Sequence, residues 1–321
     1  MPAGKQLKRV RSRREFLAAA GVVAVALIGA PYIVSALRKR PTGWALSERE
    51  RVATLETEFG SVAYFVPRDP QHVVVMAHGY PWPDGWLFGP FLVSYARGAV
   101  RRWSEFATAN SAILLAPAFG SGGFGGYRDL FGVGIDADEF VNRLLDFSAK
   151  PLLHNFDGRF ALHGHSAGGQ FAARYVVTHP DRLLQAVLSA PSTYPFPDRA
   201  IPWPNGMGPV TRGAESGHRR GTAFTPDGSG WLRAATHAPI TVLVGSRDTT
   251  TRPASPGEPG TTRLARAIAW VQAMTQLAAS SGRASTVKLE IAPDLDHDEA
   301  AIAIPAQRIL ADSFASALRK I

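Results

Sequence analysis

The chain has 321 residues, a hydrophobic fraction of 45% and a formal net charge of +9 at pH 7. This length and composition suit one large globular domain or two small ones, with enough apolar residues for a sizeable core. The sequence contains no cysteine, which excludes disulfides, thiolate metal ligands and a cysteine nucleophile.

The positive charge is concentrated at the N-terminus. Residues 1–40 hold nine basic residues and one acidic residue, whereas the remaining 281 residues hold 26 basic and 25 acidic residues. A clearly basic domain is the electrostatic signature of nucleic-acid binding, and the globular part of this chain is nearly neutral. We therefore expect no nucleic-acid partner.

The N-terminal segment has the features of an export signal. The stretch Ser12-Arg13-Arg14-Glu15-Phe16-Leu17 directly precedes an uncharged, mildly apolar run that ends at residue 37. A basic head, an arginine pair and such a run resemble a twin-arginine export signal. The run is also about as long as a bilayer-spanning helix, so an uncleaved membrane anchor is the alternative.

This segment predicts where the protein is found. We expect residues 1–36 to be a twin-arginine signal or an N-terminal membrane anchor. The rest of the chain is then exported, to the periplasm or the extracellular space. The expected partners are the twin-arginine export machinery and, through residues 16–37, the membrane.

Strands and helices alternate through the rest of the chain. We predict a polar linker at 37–52 and one domain at 53–321, which begins with a hairpin whose strands are 54–59 and 62–66. The continuous apolar runs at 72–77 and 112–117 are typical of strands buried on both faces. Further strands are expected at 160–162, 183–189, 240–245 and 287–291, and helices at 99–109, 136–148, 171–178, 264–279 and 301–318. This alternation predicts an α/β fold with a mostly parallel central sheet and helices on both faces.

Two segments interrupt the alternation. Residues 249–262 are rich in Thr, Pro and Gly, and we predict an exposed flexible loop there. Residues 191–238 are long and irregular, which is typical of a functional lid, and we predict that they form a cap insert. The aromatic residues of this insert are Tyr194, Phe196, Trp203, Phe224 and Trp231.

The sequence Gly164-His165-Ser166-Ala167-Gly168 lies between a predicted strand and a predicted helix. A Gly-x-Ser-x-Gly pattern in that context is a nucleophile elbow, in which the serine occupies a strained turn and its oxygen projects from the sheet. The helix that follows directs its N-terminus at the serine, where its amides favour a negatively charged oxygen. We predict that Ser166 is a nucleophile.

A serine nucleophile needs a base and an acid that orients the base. In this architecture both follow the serine along the chain, on loops after later strands. Of nine histidines, only His297 lies after the later strands. Asp248 follows the predicted strand 240–245, so we predict a catalytic triad of Ser166, Asp248 and His297. Asp227 and Asp294 are the alternatives for the acid.

Acyl transfer also needs hydrogen-bond donors for the developing oxyanion. We predict that these are the backbone amides of Ala167, which follows the nucleophile, and of Tyr80, in the loop after the strand 72–77. His163 and His165 are interpreted as structural. The sequence shows neither the spacing of metal ligands nor a phosphate-binding glycine loop, so we expect no metal and no cofactor.

Together these residues resemble the α/β-hydrolase superfamily over residues 53–321. The likeness rests on His78-Gly79, the stretch 164–168, Asp248 and His297. Residues 164–172, with His179-Pro180, are further similar to secreted esterases of the polyhydroxyalkanoate-depolymerase and feruloyl-esterase type. The absence of cysteine departs from the disulfide-bearing members of that group.

The resemblance implies an α/β-hydrolase fold and a serine hydrolase whose substrate is a small-molecule or polymeric ester. Superfamily likeness does not define the substrate. A peptidase or amidase, an acyltransferase, and a non-catalytic tethered binding protein on the same scaffold are therefore alternatives.

Overall fold

The structure is a computed structural model that describes residues 44–80, 89–120, 124–251 and 259–318. The predicted signal or anchor at 1–36 lies outside the described residues, as does the part of the predicted flexible loop from 252 to 258. None of the helices within the described ranges combines the length and apolar character needed to cross a bilayer.

The described ranges contain ten β-strands and six α-helices. The strands are β1 (Ala53–Glu56), β2 (Ser61–Phe65), β3 (His72–Ala77), β4 (Ala112–Pro117), β5 (Phe160–His165), β6 (Leu183–Ser189), β7 (Val210–Thr211), β8 (Ala223–Phe224), β9 (Ile240–Gly245) and β10 (Val287–Ala292). The helices are α1 (Gly89–Ala109), α2 (Ala137–Leu144), α3 (Ala167–Thr178), α4 (Ser229–Thr236), α5 (Arg263–Ser280) and α6 (Glu299–Leu318).

Eight strands form one sheet, in the order β1-β2-β4-β3-β5-β6-β9-β10. β1 pairs with β2 and β2 with β4 in antiparallel fashion, whereas the strands from β4 to β10 pair in parallel. This confirms the predicted mostly parallel sheet. The separate pair β7-β8 lies in the segment between β6 and β9.

Both faces of the sheet are buried. In β3, Val73 and Val75 pack into one hydrophobic cluster, and Val74 and Met76 pack into another. Alternate strand residues point to opposite faces, so the two clusters lie on opposite sides of the sheet. Side chains of α2, α3, α4 and α5 belong to the first cluster, and side chains of α1 and α6 belong to the second. The apolar runs of the sequence therefore form strands with helices on both faces, as predicted.

Helix α1 is the largest difference from the predicted elements. It begins at Gly89, ten residues before the predicted start at 99. Pro90 and Gly98 weaken the helical pattern in the sequence, but a proline is tolerated in the first turn. Leu92 and Ala96 are buried, and their packing outweighs the low helix propensity of the glycine at 98. Helix α2 is shorter than predicted, because the chain continues from Leu145 to Ala149 as a π-helical turn.

The predicted linker at 37–52 requires a correction for its described part. Trp44 packs against the rings of Phe59 and Phe140, and Leu46 is buried in the main core. The Glu50 amide donates to the Val66 carbonyl at 2.8 Å. Residues 44–52 are thus part of the folded domain, because burial of two large apolar side chains outweighs the polar character of their neighbours.

The segment 191–238 is held closely against the rest of the domain. Trp203 Nε1 donates to the Asp129 carbonyl at 3.0 Å, and Arg212 binds both carboxylate oxygens of Asp136 at 3.0 Å. Of its five aromatic residues, Tyr194, Phe196, Trp203 and Trp231 are buried in the core. Those four rings serve core packing, while the role of the segment as a cap stays a prediction.

The parallel sheet determines where the predicted site residues meet. Loops after β3, β5, β9 and β10 all leave from the carboxyl ends of parallel strands, which lie along one edge of the sheet. Open α/β sheets bind ligands at that edge. The fold therefore brings together four loops that are far apart in the sequence.

Candidate active site

Ser166 occupies the sharp turn between β5 and α3. Its backbone has φ 53° and ψ −112°, a conformation that is strained for a residue with a side chain. The Ser166 amide donates to the Ser189 carbonyl at 2.9 Å, and the Gln170 amide donates to the Ser166 carbonyl at 3.0 Å. These bonds join the turn to β6 and to the first turn of α3, and they hold the serine in its strained conformation.

The two glycines of the Gly-x-Ser-x-Gly pattern are required by close backbone contacts. A Cβ atom at Gly164 would lie 2.1 Å from the Gly168 carbonyl oxygen, and one at Gly168 would lie 1.8 Å from the Ala77 carbonyl oxygen. Contacts below 3.0 Å require the backbone to shift. Glycine at both positions therefore allows α3 to approach the ends of β5 and β3 directly beneath Ser166.

His297 connects Ser166 to Asp248. The Nδ1 atom of His297 lies 2.8 Å from Asp248 Oδ2, and its Nε2 atom lies 2.9 Å from Ser166 Oγ. A carboxylate only accepts hydrogen bonds, so Nδ1 carries the proton and Nε2 of the neutral ring is the acceptor for the serine hydroxyl. The three side chains that the sequence predicts to interact are therefore within hydrogen-bond distance, in the arrangement that activates a serine.

Asp248 is fully buried, and its carboxylate is hydrogen-bonded to His297 and Arg263 among the described residues. Burial alone would raise the pKa of Asp248. The hydrogen bond and charge of His297 and the guanidinium of Arg263 together lower the pKa by more than burial raises it, so the net shift is downward. Arg263 Nη1 donates to Asp248 Oδ1 at 3.0 Å, and its side chain is 13% exposed. The carboxylate is thus held in its ionised form, which suits a group that orients an imidazole.

Sequence reasoning missed Arg263, although it is the first residue of α5. Its contact with Asp248 spans 15 residues, part of which lies outside the described ranges. The local signal was Thr262, a good helix N-cap, whose side chain accepts from the Ala265 amide. The N-cap signal locates the start of the helix and therefore places Arg263 in its first turn. It does not indicate which carboxylate the Arg263 side chain binds.

The loops that carry the acid and the base are joined to each other. The Ser246 amide donates to the Ala292 carbonyl at 2.9 Å, and the Arg247 amide donates to the Leu295 carbonyl at 2.8 Å. A Cβ atom at Gly245 would lie 2.2 Å from that Leu295 oxygen, so the two loops are in direct backbone contact. The Asp248–His297 distance therefore follows from the pairing of β9 with β10.

The alternative acids make other contacts. Asp294 accepts from Arg247 Nη2 at 2.6 Å, and its side chain is 79% exposed. Asp227 accepts from the amide and the hydroxyl of Ser229, on the surface. Asp248 is thus the predicted acid that the structure places on the ring of His297.

The loop after β3 lies against the nucleophile. A Cβ atom built at Gly79 would be 3.5 Å from Ser166 Cβ, and the next residue, Tyr80, is 44% exposed. Ala167 is the first residue of α3, where amides have no partner within the helix. The backbone segments that carry both predicted oxyanion donors therefore adjoin Ser166, and the donor role of their amides stays a prediction.

The two histidines beside the nucleophile are buried and neutral. His163 Nε2 lies 3.1 Å from the Ser189 hydroxyl, and burial lowers the pKa of His163 to about 3. Burial, followed by the charge of nearby His297, lowers the pKa of His165 to about 3. The His165 ring packs against the His297 ring at 4.8 Å between centroids. His163 thus contacts β6 and Trp103 of α1, whereas His165 forms one wall behind the imidazole of His297.

No protein-family model and no curated protein matches the chain. Solved structures do match it. Poly(aspartic acid) hydrolase-1 from Sphingomonas sp. KT-1 has a TM-score of 0.64 and 21% identity, over 81% of this chain and 98% of that chain. LpqC, a poly(3-hydroxybutyrate) depolymerase from Bordetella parapertussis, has a TM-score of 0.60 and 21% identity, over 78% of this chain and 83% of that chain.

The chain has the α/β-hydrolase fold. A third similar structure is FphF, a fluorophosphonate-binding serine hydrolase from Staphylococcus aureus, with a TM-score of 0.53 and 11% identity. It covers 82% of this chain and 97% of that chain. At these identities the likeness establishes the α/β-hydrolase fold alone, and the chemistry must be argued from the side chains of this chain.

The first prediction concerns the acid. Asp248→Asn permits the wrong tautomer of His297, and the equivalent change in a serine protease costs about 10⁴ in turnover. We expect a loss of that order in p-nitrophenyl ester hydrolysis, with the fold retained by circular dichroism. Asp294→Asn and Asp227→Asn are the controls, each losing less than roughly tenfold, or about 1.4 kcal/mol of barrier. If Asp248→Asn keeps turnover close to that of the wild type while Asp294→Asn or Asp227→Asn loses most of its turnover, that other aspartate is the acid.

The second prediction concerns Arg263. Arg263→Gln removes a guanidinium that lowers the pKa of Asp248, so the pKa of this carboxyl should rise. In the wild type, ionised Asp248 contributes to the free energy of unfolding. This contribution is complete above the unfolded pKa of about 3.9 and is lost as the pH falls through the lower folded pKa. We expect the variant to be less stable than wild type at pH 7, and the difference to shrink near pH 3. Urea unfolding at both values measures it.

The matched control for Arg263→Gln is Arg247→Gln. Arg247 precedes Asp248 but binds the exposed Asp294, and such surface pairs contribute about 0–1 kcal/mol. The control should therefore remain close to wild type at both pH values. A stability gap for Arg263→Gln that does not depend on pH would show that the guanidinium acts through packing alone.

Proposed function

We propose that this protein is a serine hydrolase that cleaves carboxylic esters through an acyl-enzyme. The observation that carries the proposal is the hydrogen-bonded series Ser166–His297–Asp248, with distances of 2.9 Å and 2.8 Å. Its serine stands at φ 53° on the turn before α3. A surface serine in an ordinary loop has neither an imidazole acceptor nor a reason for backbone strain.

The geometry supports the following sequence of steps. Nε2 of His297 takes the hydroxyl proton as Ser166 Oγ attacks the acyl carbon, and the buried Asp248 carboxylate stabilises the imidazolium that forms. The carbonyl oxygen becomes negative beside the amides of Tyr80 and Ala167. His297 then donates its proton to the leaving alkoxide, which departs as an alcohol and leaves Ser166 acylated.

A water molecule completes the cycle. His297 removes a proton from this water, which attacks the acyl carbon. The imidazolium of His297 then returns that proton to Ser166 Oγ as the tetrahedral intermediate collapses and the carboxylic acid leaves. If an alcohol takes the place of water, the same groups catalyse acyl transfer. If the leaving group is an amine, the same groups hydrolyse an amide. These are the two alternatives within this chemistry.

Within the described residues, the structure offers no cluster of three or more potential metal ligands. The proposed chemistry is carried by side chains and backbone amides of this chain alone.

Two of the structurally similar proteins are named for poly(aspartic acid) and poly(3-hydroxybutyrate), so both polymers belong in the substrate panel beside small esters.

The third prediction tests the nucleophile. A fluorophosphonate probe should label the wild type at Ser166, and Ser166→Ala should abolish labelling and reduce ester turnover by on the order of 10⁶, as triad loss does in a serine protease. Ser104→Ala, which changes a half-buried serine on α1 whose hydroxyl donates to the Arg101 carbonyl, serves as the control. Peptide mapping of the labelled protein and p-nitrophenyl ester assays provide the two measurements. Labelling of a different residue, or full activity of Ser166→Ala, contradicts the proposal.

The same assay decides between ester and amide. p-Nitrophenyl esters of increasing chain length and aminoacyl p-nitroanilides release chromophores that are measured directly. We expect the esters to be cleaved with the higher kcat/KM. A higher kcat/KM for the anilides would favour the peptidase or amidase, and product formation only when an alcohol is added would favour the acyltransferase.

We further propose that the enzyme is exported through its twin-arginine signal, and this gives the fourth prediction. The pathway's receptor reads the arginine pair, so the double change Arg13→Lys and Arg14→Lys should retain the protein in the cytoplasm. Arg38→Lys makes the same chemical change outside the pair and should leave export intact. Cell fractionation followed by immunoblotting measures the distribution. Normal export of the double variant would point to a different route.

A further inference from the structure

Beside the nucleophile, a short turn packs on the loop that follows β3. The turn is the 3-10 segment Tyr127–Asp129. Tyr127 Oη donates to the His78 carbonyl at 3.3 Å, and the guanidinium carbon of Arg128 lies 5.8 Å from the centroid of the Tyr80 ring. This distance is within the range of a cation–π contact. A cation is thus fixed above an exposed aromatic ring whose own backbone adjoins Ser166.

The charge of Arg128 is not neutralised by an ion pair in the part of the chain that the structure describes. The adjacent carboxyl group, that of Asp129, instead lies 3.9 Å from Arg174 Nε. The other arginines near the nucleophile have carboxylate partners, since Arg263 binds Asp248 and Arg247 binds Asp294. Among the described residues, no carboxylate therefore competes with an anionic ligand group for Arg128 by a direct ion pair.

The loop that carries His297 has the opposite charge. His297 lies between Asp296 and Asp298, which are both exposed. The carboxylates of these two residues accept from the backbone amides of Asp298 and Ala301 respectively, and neither is paired with a cation among the described residues. A substrate at Ser166 would thus meet a cation on the turn that packs against the loop after β3 and two carboxylates on the loop of His297.

The chemistry fixes which part of a substrate meets each side. The leaving oxygen must lie near His297 Nε2 to receive its proton, so the alcohol part leaves along the loop with the two aspartates. The acyl chain extends in the other direction, from the carbonyl held at the loop after β3. An anionic alcohol part would be repelled, whereas an anionic acyl chain would be attracted to Arg128.

We propose that Arg128, held on the ring of Tyr80, binds a carboxylate at the distal end of the acyl chain, so that the enzyme favours half-esters of dicarboxylic acids. This inference rests on the proposed function and adds the charge of its acyl substrate. Arg128 acts here as a specificity-determining residue. Its planar guanidinium can bind a carboxylate through two hydrogen bonds while its face stays on the ring.

The fifth prediction compares two substrates with the same leaving group. One is mono-p-nitrophenyl adipate, and the other is its neutral amide analogue, p-nitrophenyl 5-carbamoylpentanoate. The measured quantity is the ratio of kcat/KM for the anionic ester to that for the neutral ester. A partly exposed ion pair has a modest effect, so we expect a ratio of about two to five in low salt. The ratio should fall towards one near 0.5 M NaCl, because salt screens the interaction.

Variants of Arg128 test the residue itself. Arg128→Gln should reduce the ratio to about one, Arg128→Glu should reduce it below one, and Arg128→Lys should keep part of the preference because the charge remains. Use of a ratio cancels any general loss of activity in a variant. Arg101→Gln, at an exposed arginine on α1, is the control and should leave the ratio at the wild-type value.

Two kinds of failure are distinguishable. Equal ratios in wild type, Arg128→Gln and Arg128→Glu, with both esters cleaved, overturn the role of Arg128 and leave the proposed function standing. Absence of cleavage of both esters by the wild type overturns the proposed function instead. If Arg128→Gln does not fold, a wild-type ratio that is unaffected by salt and by Arg128→Lys still overturns the inference.

Discussion

The close approach of helix α3 to the ends of β3 and β5 is the constraint on which the site depends. The contacts at Gly164 and Gly168 leave no room for even one methyl group, since a Cβ atom would lie about 2 Å from a carbonyl oxygen. This approach places the helix amides, the strained Ser166 and the loop at Gly79 within one small volume. The strain of one such residue, about 1–3 kcal/mol, is comparable to the burial of a single large core side chain.

A second constraint connects the acid to the base. The loops that carry Asp248 and His297 leave from neighbouring strands paired residue by residue, from Val287 with Ile240 to Ala292 with Gly245. Their backbone bonds extend this pairing beyond the sheet. The site thus consists of two units: a nucleophile with its adjoining amides on β5 and β3, and an acid–base pair on β9 and β10, with β6 between them.

Local sequence was sufficient where one residue pattern has one structural solution. The strands at 72–77, 112–117 and 240–245 match their predicted bounds, because apolar runs of about this length bounded by proline, glycine or serine favour a strand buried on both faces over a helix. The positions of Ser166, Asp248 and His297 followed from chain order in this architecture. The start of α1, the packing of Trp44 and the partner of Arg263 depend on contacts distant in sequence, which no local pattern contains.

The position of β10 has a consequence for how the protein responds to heat. β10 is the last strand of the sheet, it is only partly buried, and Ile291 within it is 43% exposed. Strands at an edge open locally at a lower free energy than strands in the centre. His297 follows this strand, so local opening of the edge would separate the imidazole from Ser166 while the central strands stay paired. We therefore expect the proposed enzyme to lose activity on heating before its central sheet unfolds.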